Sequence, residues 1–198
     1  HDFYGFPQTL FDVEYPAPGS PEIADLISSL VKKPIVHLDE HTWGLDHGTW
    51  SVLRHLYPKA NIPVVQLSIN IKQPGEYHYQ MGQQLKLLRE QGVLIVGSGN
   101  VVHNLSKIIW GANPQSYEWA IEFDSWVKDM LLARNVDALA THYFNSACGQ
   151  LSVPSPDHYF PLLYSLGATS ADEELVFVYE GIQNGSISMR TFCIGLKS

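Results

Sequence analysis

Basic residues are scarce in this chain. Lys and Arg number 12 against 20 Asp and Glu, a formal net charge of -8, and no basic cluster interrupts the acidic balance. Such a surface repels phosphate backbones and anionic lipid, which argues against nucleic acid and membranes as partners. Long apolar runs are missing too: none approaches the roughly 20 residues that cross a bilayer. Cysteine is almost absent. Cys148 and Cys193 stand apart with no CxxC spacing, the pattern of buried thiols in a reducing compartment, here the cytoplasm, rather than of a disulfide. HExxH, GxSxG, the P-loop and a full GxGxxG are also lacking, and with them the usual signals of zincins, serine hydrolases and nucleotide-binding folds. No repeat, low-complexity tract or linker breaks the 198 residues, so the expectation is one α/β domain over 1–198 with a full core. The first residue is His1, and "HDFYGFP" is no secretion signal; the sequence is expected to begin inside a longer chain.

Short β-branched runs bounded by turn residues are present: "PIVHL" (Pro34–Leu38), "IPVVQLSI" (Ile62–Ile69), "VLIVGSG" (Val93–Gly99), "ELVFVYEG" (Glu174–Gly181) and "SISMRTFCIG" (Ser186–Gly195). The second and third read as buried strands. The last alternates, with Ile187, Met189, Thr191 and Cys193 on one face, as an antiparallel edge would. Helical patterns lie between them. "SPEIADLISSLVKK" offers Ser20 as N-cap, Pro21 at the first helical position and lysines in the last turn. "GEYHYQMGQQLKLLREQG" carries Tyr79, Leu85 and Leu88 and ends on Gly92. "SYEWAIEFDSWVKDMLLARN" places Trp119, Phe123, Trp126, Val127 and Met130 on one stripe. "SPDHYFPLLYSLGA" reads as a helix opening at Ser155 and Pro156. Strands alternating with helices predict a mostly parallel central sheet flanked by helices on both faces, with an antiparallel C-terminal edge.

Nine histidines are a high number for this length, and four of them have a context. His103 follows the apolar run Val93–Val96 and the turn Gly97-Ser98-Gly99, beyond the carboxyl end of a strand, where open α/β sheets bind ligands; a helix-capping core histidine is the plain alternative. His158 lies in an apolar, proline-stiffened segment, where a helix N-terminus would favour the neutral imidazole that binds metals; packing alone is its plain alternative. His47 follows Asp46, which either orients it or caps the next helix. His1 and Asp2 open an aromatic, glycine-containing corner suited to a flat ring. His37, His41, His55, His78 and His142 lack such settings and read as structural or surface residues, His78 on a polar helical face. Asp124 and Asp129 read as solvated, and Glu180 as a turn residue first and a supporting acid second.

Taken together, "HDFYGFPQTLFDVEYPAPGSP", "WGLDHGTWSVLRHLYPKANIPVVQLSI", "GSGNVVHNL", "PSPDHYFPLLYSLGA" and "EGIQNGSISMRTF" resemble the DOPA 4,5-dioxygenase-like branch of the class III extradiol ring-cleaving dioxygenases, in order and over nearly the whole chain. The resemblance implies a non-haem Fe(II), or Zn(II) in its place, one per chain, and a small aromatic diol opened beside its hydroxyls by O2. It implies His158 as a metal ligand, His103 as an acid/base near the metal or a further ligand, His47 as an imidazole that contacts substrate or dioxygen, and His1 near the substrate. Two features depart from the wider pattern. The HGSP-like and SAHW-like segments that supply further ligand histidines do not occur here and are expected upstream of residue 1. His158 stands where other enzymes of this class carry a glutamate, so the metal would keep more positive charge than in a two-His-one-carboxylate site and pull harder on a catecholate. The competing expectations are a zinc-binding relative without dioxygenase activity, a hydrolase or a binding protein, and an inactive truncated chain.

Overall fold

A computed structural model describes residues 2–196; His1 lies outside the described residues. The chain divides into two compact units, His1–Ser68 and Ile69–Ser198.

The N-terminal unit carries α1 (Gln8–Phe11), α2 (Pro21–Leu30) and α3 (His47–Leu56). The start of α2 is written in its sequence: the Ser20 hydroxyl accepts from the Ile23 N–H at 3.3 Å, and Pro21 fills a position whose N–H needs no partner. The predicted run to Lys33 stops short at Leu30, because a residue before proline disfavours the helical region and Pro34 follows. Asp46 caps α3 by accepting from the Thr49 N–H at 2.8 Å, and the helix buries Trp50.

The C-terminal unit holds α4 (Gly75–Leu85), α5 (Glu118–Leu132), α6 (Ala147–Ser152) and α7 (Pro161–Gly167), then β1 (Leu175–Tyr179), β2 (Ile182–Gln183), β3 (Ile187–Ser188) and β4 (Thr191–Ile194). After α4, a tight helical turn over Lys86–Gln91 ends on Gly92 in the left-handed conformation. The predicted stripe of α5 faces the core: Phe123 and Val127 are buried, and Trp119, Trp126 and Met130 pack against the same cluster. Tyr159, Phe160 and Leu163 fill it from the other side, each large apolar side chain contributing about 1.5–3 kcal/mol by leaving water. Asn184 and Gly185, both at positive φ, close the β2–β3 hairpin, as the Asn-Gly pair of "IQNGSI" requires.

The antiparallel C-terminal edge is present, since β1 pairs with β4 antiparallel from Leu175↔Ile194 onward. The predicted single strand Ser186–Gly195 is two strands in two ladders; it breaks at Met189-Arg190, where Arg190 turns into a buried ion pair. The mostly parallel central sheet is not observed. Among the described residues both sheets are two-stranded and antiparallel, and Pro34–Leu38, Ile62–Ile69 and Val93–Gly99 join neither. β-branched composition predicts an extended backbone, whereas a ladder also requires a neighbour about 4.8 Å away. No helix among the described residues is long and apolar enough to cross a membrane.

Candidate active site

In the C-terminal unit, the segment after Val93–Val96 is drawn against the turn that precedes α7. A Cβ on Gly99 would run into the His158 carbonyl oxygen, and one on Gly97 into the Pro161 carbonyl. Glycine is needed at both places because two backbones touch there. The Asn100 N–H donates to that same His158 carbonyl at 2.9 Å. Val101 and Val102 are then buried, the His103 N–H donates to the Ser152 carbonyl at 2.9 Å, and His103 bridges to Ile187. The Asn104 side chain fixes the exit: its amide donates to the Leu151 carbonyl at 2.8 Å, and its oxygen accepts from the Ser106 N–H at 3.1 Å.

These backbone bonds bring two histidines together. The rings of His103 and His158 stack with centroids 3.6 Å apart and planes 9° from parallel, and both residues are half-buried. His158 does not open a helix as its sequence suggested. It sits in a turn in which Tyr159 and Phe160 both donate to the Pro156 carbonyl, and α7 begins at Pro161. Both prolines could legally start a helix, and the chain uses the later one. An oxygen of Asp157 lies 2.8 Å from His158 Nδ1. Burial works to raise the Asp157 carboxyl, but the Ser155 hydroxyl and the His158 ring outweigh it and hold the carboxyl below its ordinary range.

The stack bears on metal binding. A metal about 2.0–2.1 Å from an imidazole nitrogen lies in the plane of that ring. Two stacked planes have no such point in common, so one ring must turn before both can hold a single ion. Among the described residues no group of three or more His, Cys, Asp or Glu side chains is arranged to hold a metal. The described residues therefore do not make a metal centre by themselves.

A buried ionic network backs the pair. Asp124, which the sequence suggested was solvated, is buried; its carboxylate accepts from Arg190 Nε at 3.0 Å and from the Ser188 hydroxyl at 2.6 Å. Arg190 also donates to Glu180 at 2.7 Å, and Lys128 reaches Glu180 at 2.8 Å, so Glu180, just past the end of β1, anchors two cations. The Ser188 carbonyl accepts from the Asn100 side chain at 2.7 Å, which links the ion pair to the chain that carries His103. Asp129 is exposed, as are His37, His41, His55 and His142. His78 is structural but lies on no polar face: it is fully buried, stacks on Phe160 with centroids 4.1 Å apart, and meets the Tyr164 hydroxyl through Nδ1 at 3.0 Å. Desolvation holds its pKa below the ordinary value despite an opposing hydrogen bond to the Gln73 backbone.

In the N-terminal unit, His47 is the first residue of α3. Its orienting partner is not Asp46, which serves as the cap, but Asp2. One Asp2 oxygen accepts from the His47 backbone N–H at 3.0 Å, and the other lies 2.6 Å from His47 Nδ1. The sequence singled out the aromatic corner that contains Asp2 without pairing it to His47.

The sequence profile of the catalytic LigB subunit of aromatic ring-opening dioxygenase matches residues 1–189. The chain belongs to the LigB family. Among its relatives, the 4,5-DOPA dioxygenase extradiol of Escherichia coli (strain K12) is 45% identical over 98% of this chain and 73% of its own length. The 4,5-DOPA dioxygenase extradiol of Beta vulgaris is 35% identical over 97% of this chain and 72% of its own. The crystal structure of an uncharacterized protein from Escherichia coli K12 superposes with a TM-score of 0.85 at 44% identity, covering 92% of this chain and 76% of that one. The LigB fold is thus shared with a solved relative.

Proposed function

We propose that this LigB-family chain catalyses extradiol cleavage of a catechol-type ring by O2, a reaction its family membership and the names of its relatives support. In this reading His103 is the acid/base and His158 a ligand to a non-haem metal ion, Fe(II) or Zn(II), with His103 as a further candidate ligand. His47 and His1 are the residues assigned to substrate contact, as the family resemblance implies. The diol is of the DOPA class, which rests on the relatives' names alone. The single observation behind the site is the meeting of His103 and His158 at 3.6 Å from two separate segments.

A metal bound at His158 would supply Lewis acidity toward the diol and a site for O2; the remaining ligands of such an ion are not among the residues described. The contribution of the chain itself is proton management. One ring nitrogen of His103 takes a hydroxyl proton as the diol ionises and gives a proton back as the ring opens, a role usually worth about 10²–10⁴-fold in rate. The backbone bonds at His103 and Asn100 and the stack with His158 place that imidazole beside the proposed ligand. As fold, the reading keeps Val93–Val96 as one strand of a mainly parallel sheet, a view supported by its apolar run ending at the Gly97-Ser98-Gly99 turn. The free thiols Cys148 and Cys193 support a reducing cytoplasm.

The test is anaerobic loading with Fe(II) followed by aerated catechols, DOPA among them. A yellow semialdehyde product that forms only with both Fe(II) and O2 is the expected result. Absence of colour across the series, in protein shown by metal analysis to hold Fe(II), would sink the dioxygenase reading and favour a metal-binding relative without ring-opening activity. Protein that takes up no Fe(II) would mark this chain as an inactive truncation.

A further inference from the structure

Asp2 touches His47 twice, from 45 residues away. An ordinary helix cap needs only one of these contacts. The bond to the His47 backbone N–H satisfies an orphan donor in the first turn of α3; the contact with the ring does nothing for the helix. Asp46 already caps α3, and Gln66 steadies that cap by accepting from the Asp46 N–H and the Thr49 hydroxyl, both at 2.9 Å. The site is also walled. The Phe3 ring meets His47 edge-on with centroids 6.0 Å apart, and Phe3 packs on Phe6, Phe11 and Trp50.

Chemistry assigns the proton between the two side chains. Burial works to raise the Asp2 carboxyl, but its bonds to the His47 ring and backbone outweigh it and hold the carboxyl below the ordinary range. Asp2 is therefore ionised near neutral pH, and a carboxylate has only acceptors. Nδ1 of His47 must carry the hydrogen. We propose that Asp2 is the positioning residue of His47: it fixes the Nδ1–H tautomer and the ring orientation, so that Nε2 is the nitrogen that exchanges protons with the reacting diol. When Nε2 takes a proton the ring becomes an imidazolium balanced by the Asp2 carboxylate, and it returns to neutral when that proton is given up. Asp2 itself stays ionised throughout, as does the carboxylate of a serine-protease triad. This inference rests on the proposed ring-opening reaction only in giving His47 a proton to move.

Asp2→Asn separates the two contacts. The Asn oxygen still accepts from the His47 backbone N–H, so the helix cap survives, while the amide no longer demands a hydrogen on Nδ1. The tautomer is read in zinc(II)-loaded protein with ¹⁵N-labelled histidine by two-bond ¹H–¹⁵N correlation. Nδ1 of His47 is expected to be protonated in the native protein and to shift to an Nε2–H form or a mixture in Asp2→Asn. In the Fe(II) assay, kcat is expected to fall at least roughly 10- to 100-fold, the scale set by losing the hydrogen-bond partner of a metal-bound imidazole, with KM changed by less than about threefold. Asp2→Asn combined with His47→Ala should be no slower than His47→Ala alone. An unchanged ring spectrum in Asp2→Asn would overturn this proposal by itself, as would a changed spectrum with native kcat. Full turnover in His47→Ala would instead overturn the role proposed for His47, and the catalytic part of this inference with it.

Discussion

His47 in the N-terminal unit is gripped by a carboxylate from 45 residues away, whereas His103 and His158 in the C-terminal unit hang from backbone hydrogen bonds and from glycines packed against carbonyl groups. The first grip is half-exposed, with 49% of the His47 side chain and 27% of the Asp2 side chain accessible. The second is continuous with the core through Val101, Val102 and Phe160. A side-chain grip can be removed while the fold stays intact; a grip made of backbone contacts cannot. Mutations should therefore separate activity from stability in one unit and move them together in the other.

The largest effect is expected at the ion pair behind the stack. Asp124→Ala leaves Arg190, whose side chain is only 3% accessible, with Glu180 as its remaining carboxylate partner, and breaking a buried pair from one side costs up to about 3–5 kcal/mol. Denaturant unfolding should show that loss, with turnover falling alongside because Ser188 and Asn100 lose their anchor. Replacing both partners, Asp124→Leu with Arg190→Met, should recover much of the stability. If Asp124→Ala unfolds within 1 kcal/mol of the native protein (a threshold of about one ordinary hydrogen bond), the network does not support the site.

His103→Ala comes next and should break the pattern in its own unit. The backbone bond from His103 to Ser152 survives the change, so the fold should hold while kcat drops about 10²–10⁴-fold. Native turnover at saturating catechol would remove His103 from the acid/base role. Gly99→Ala is smaller and mixed. Its Cβ meets the His158 carbonyl rather than a yielding side chain, and overpacking of this kind costs about 1–3 kcal/mol. Thermal midpoint and kcat should fall together; a stable variant with lost activity would show that the backbone contact tunes the rings without holding the fold.

The same contrast explains what could be read in advance. The settings of His103 and His158 are local: an apolar run ending in Gly-Ser-Gly, and a segment stiffened by Pro154 and Pro156. The α2 cap and the Asn-Gly hairpin are local as well, and they form where their residues dictate. What composition could not supply was partnership. Asp2 gives no sign in its own neighbourhood that it meets His47. Asp124 reads as a polar residue on an amphipathic helix until Arg190, from another element, is brought against it. Extended segments such as Val93–Val96 state their own conformation but not which chain, if any, lies beside them. Register, ion pairing and tautomer belong to pairs of residues, and a single sequence lists residues one at a time.

The smallest effect concerns acid stability and sets a baseline away from both imidazole sites. Arg89 donates to Glu173 at 2.8 Å. This bond, reinforced by the Ser170 N–H against the opposing effect of burial, lowers the Glu173 carboxyl from 4.5 to about 2. A folded-state value below the unfolded one means that folding favours the ionised form. The contribution is complete above about pH 4.5 and fades as the pH falls toward 2. With 22% of the Glu173 side chain still in water, screening keeps this contribution to about 1 kcal/mol. Glu173→Gln should therefore unfold more easily than the native protein at neutral pH, and the gap should close as the pH is taken down to 2. Both proteins should keep the same kcat at pH 7, since Glu173 touches neither His47 nor the His103–His158 stack. Parallel acid-unfolding curves with a constant offset would mean that the Arg89 contact stabilises the fold through packing rather than through the charge on Glu173.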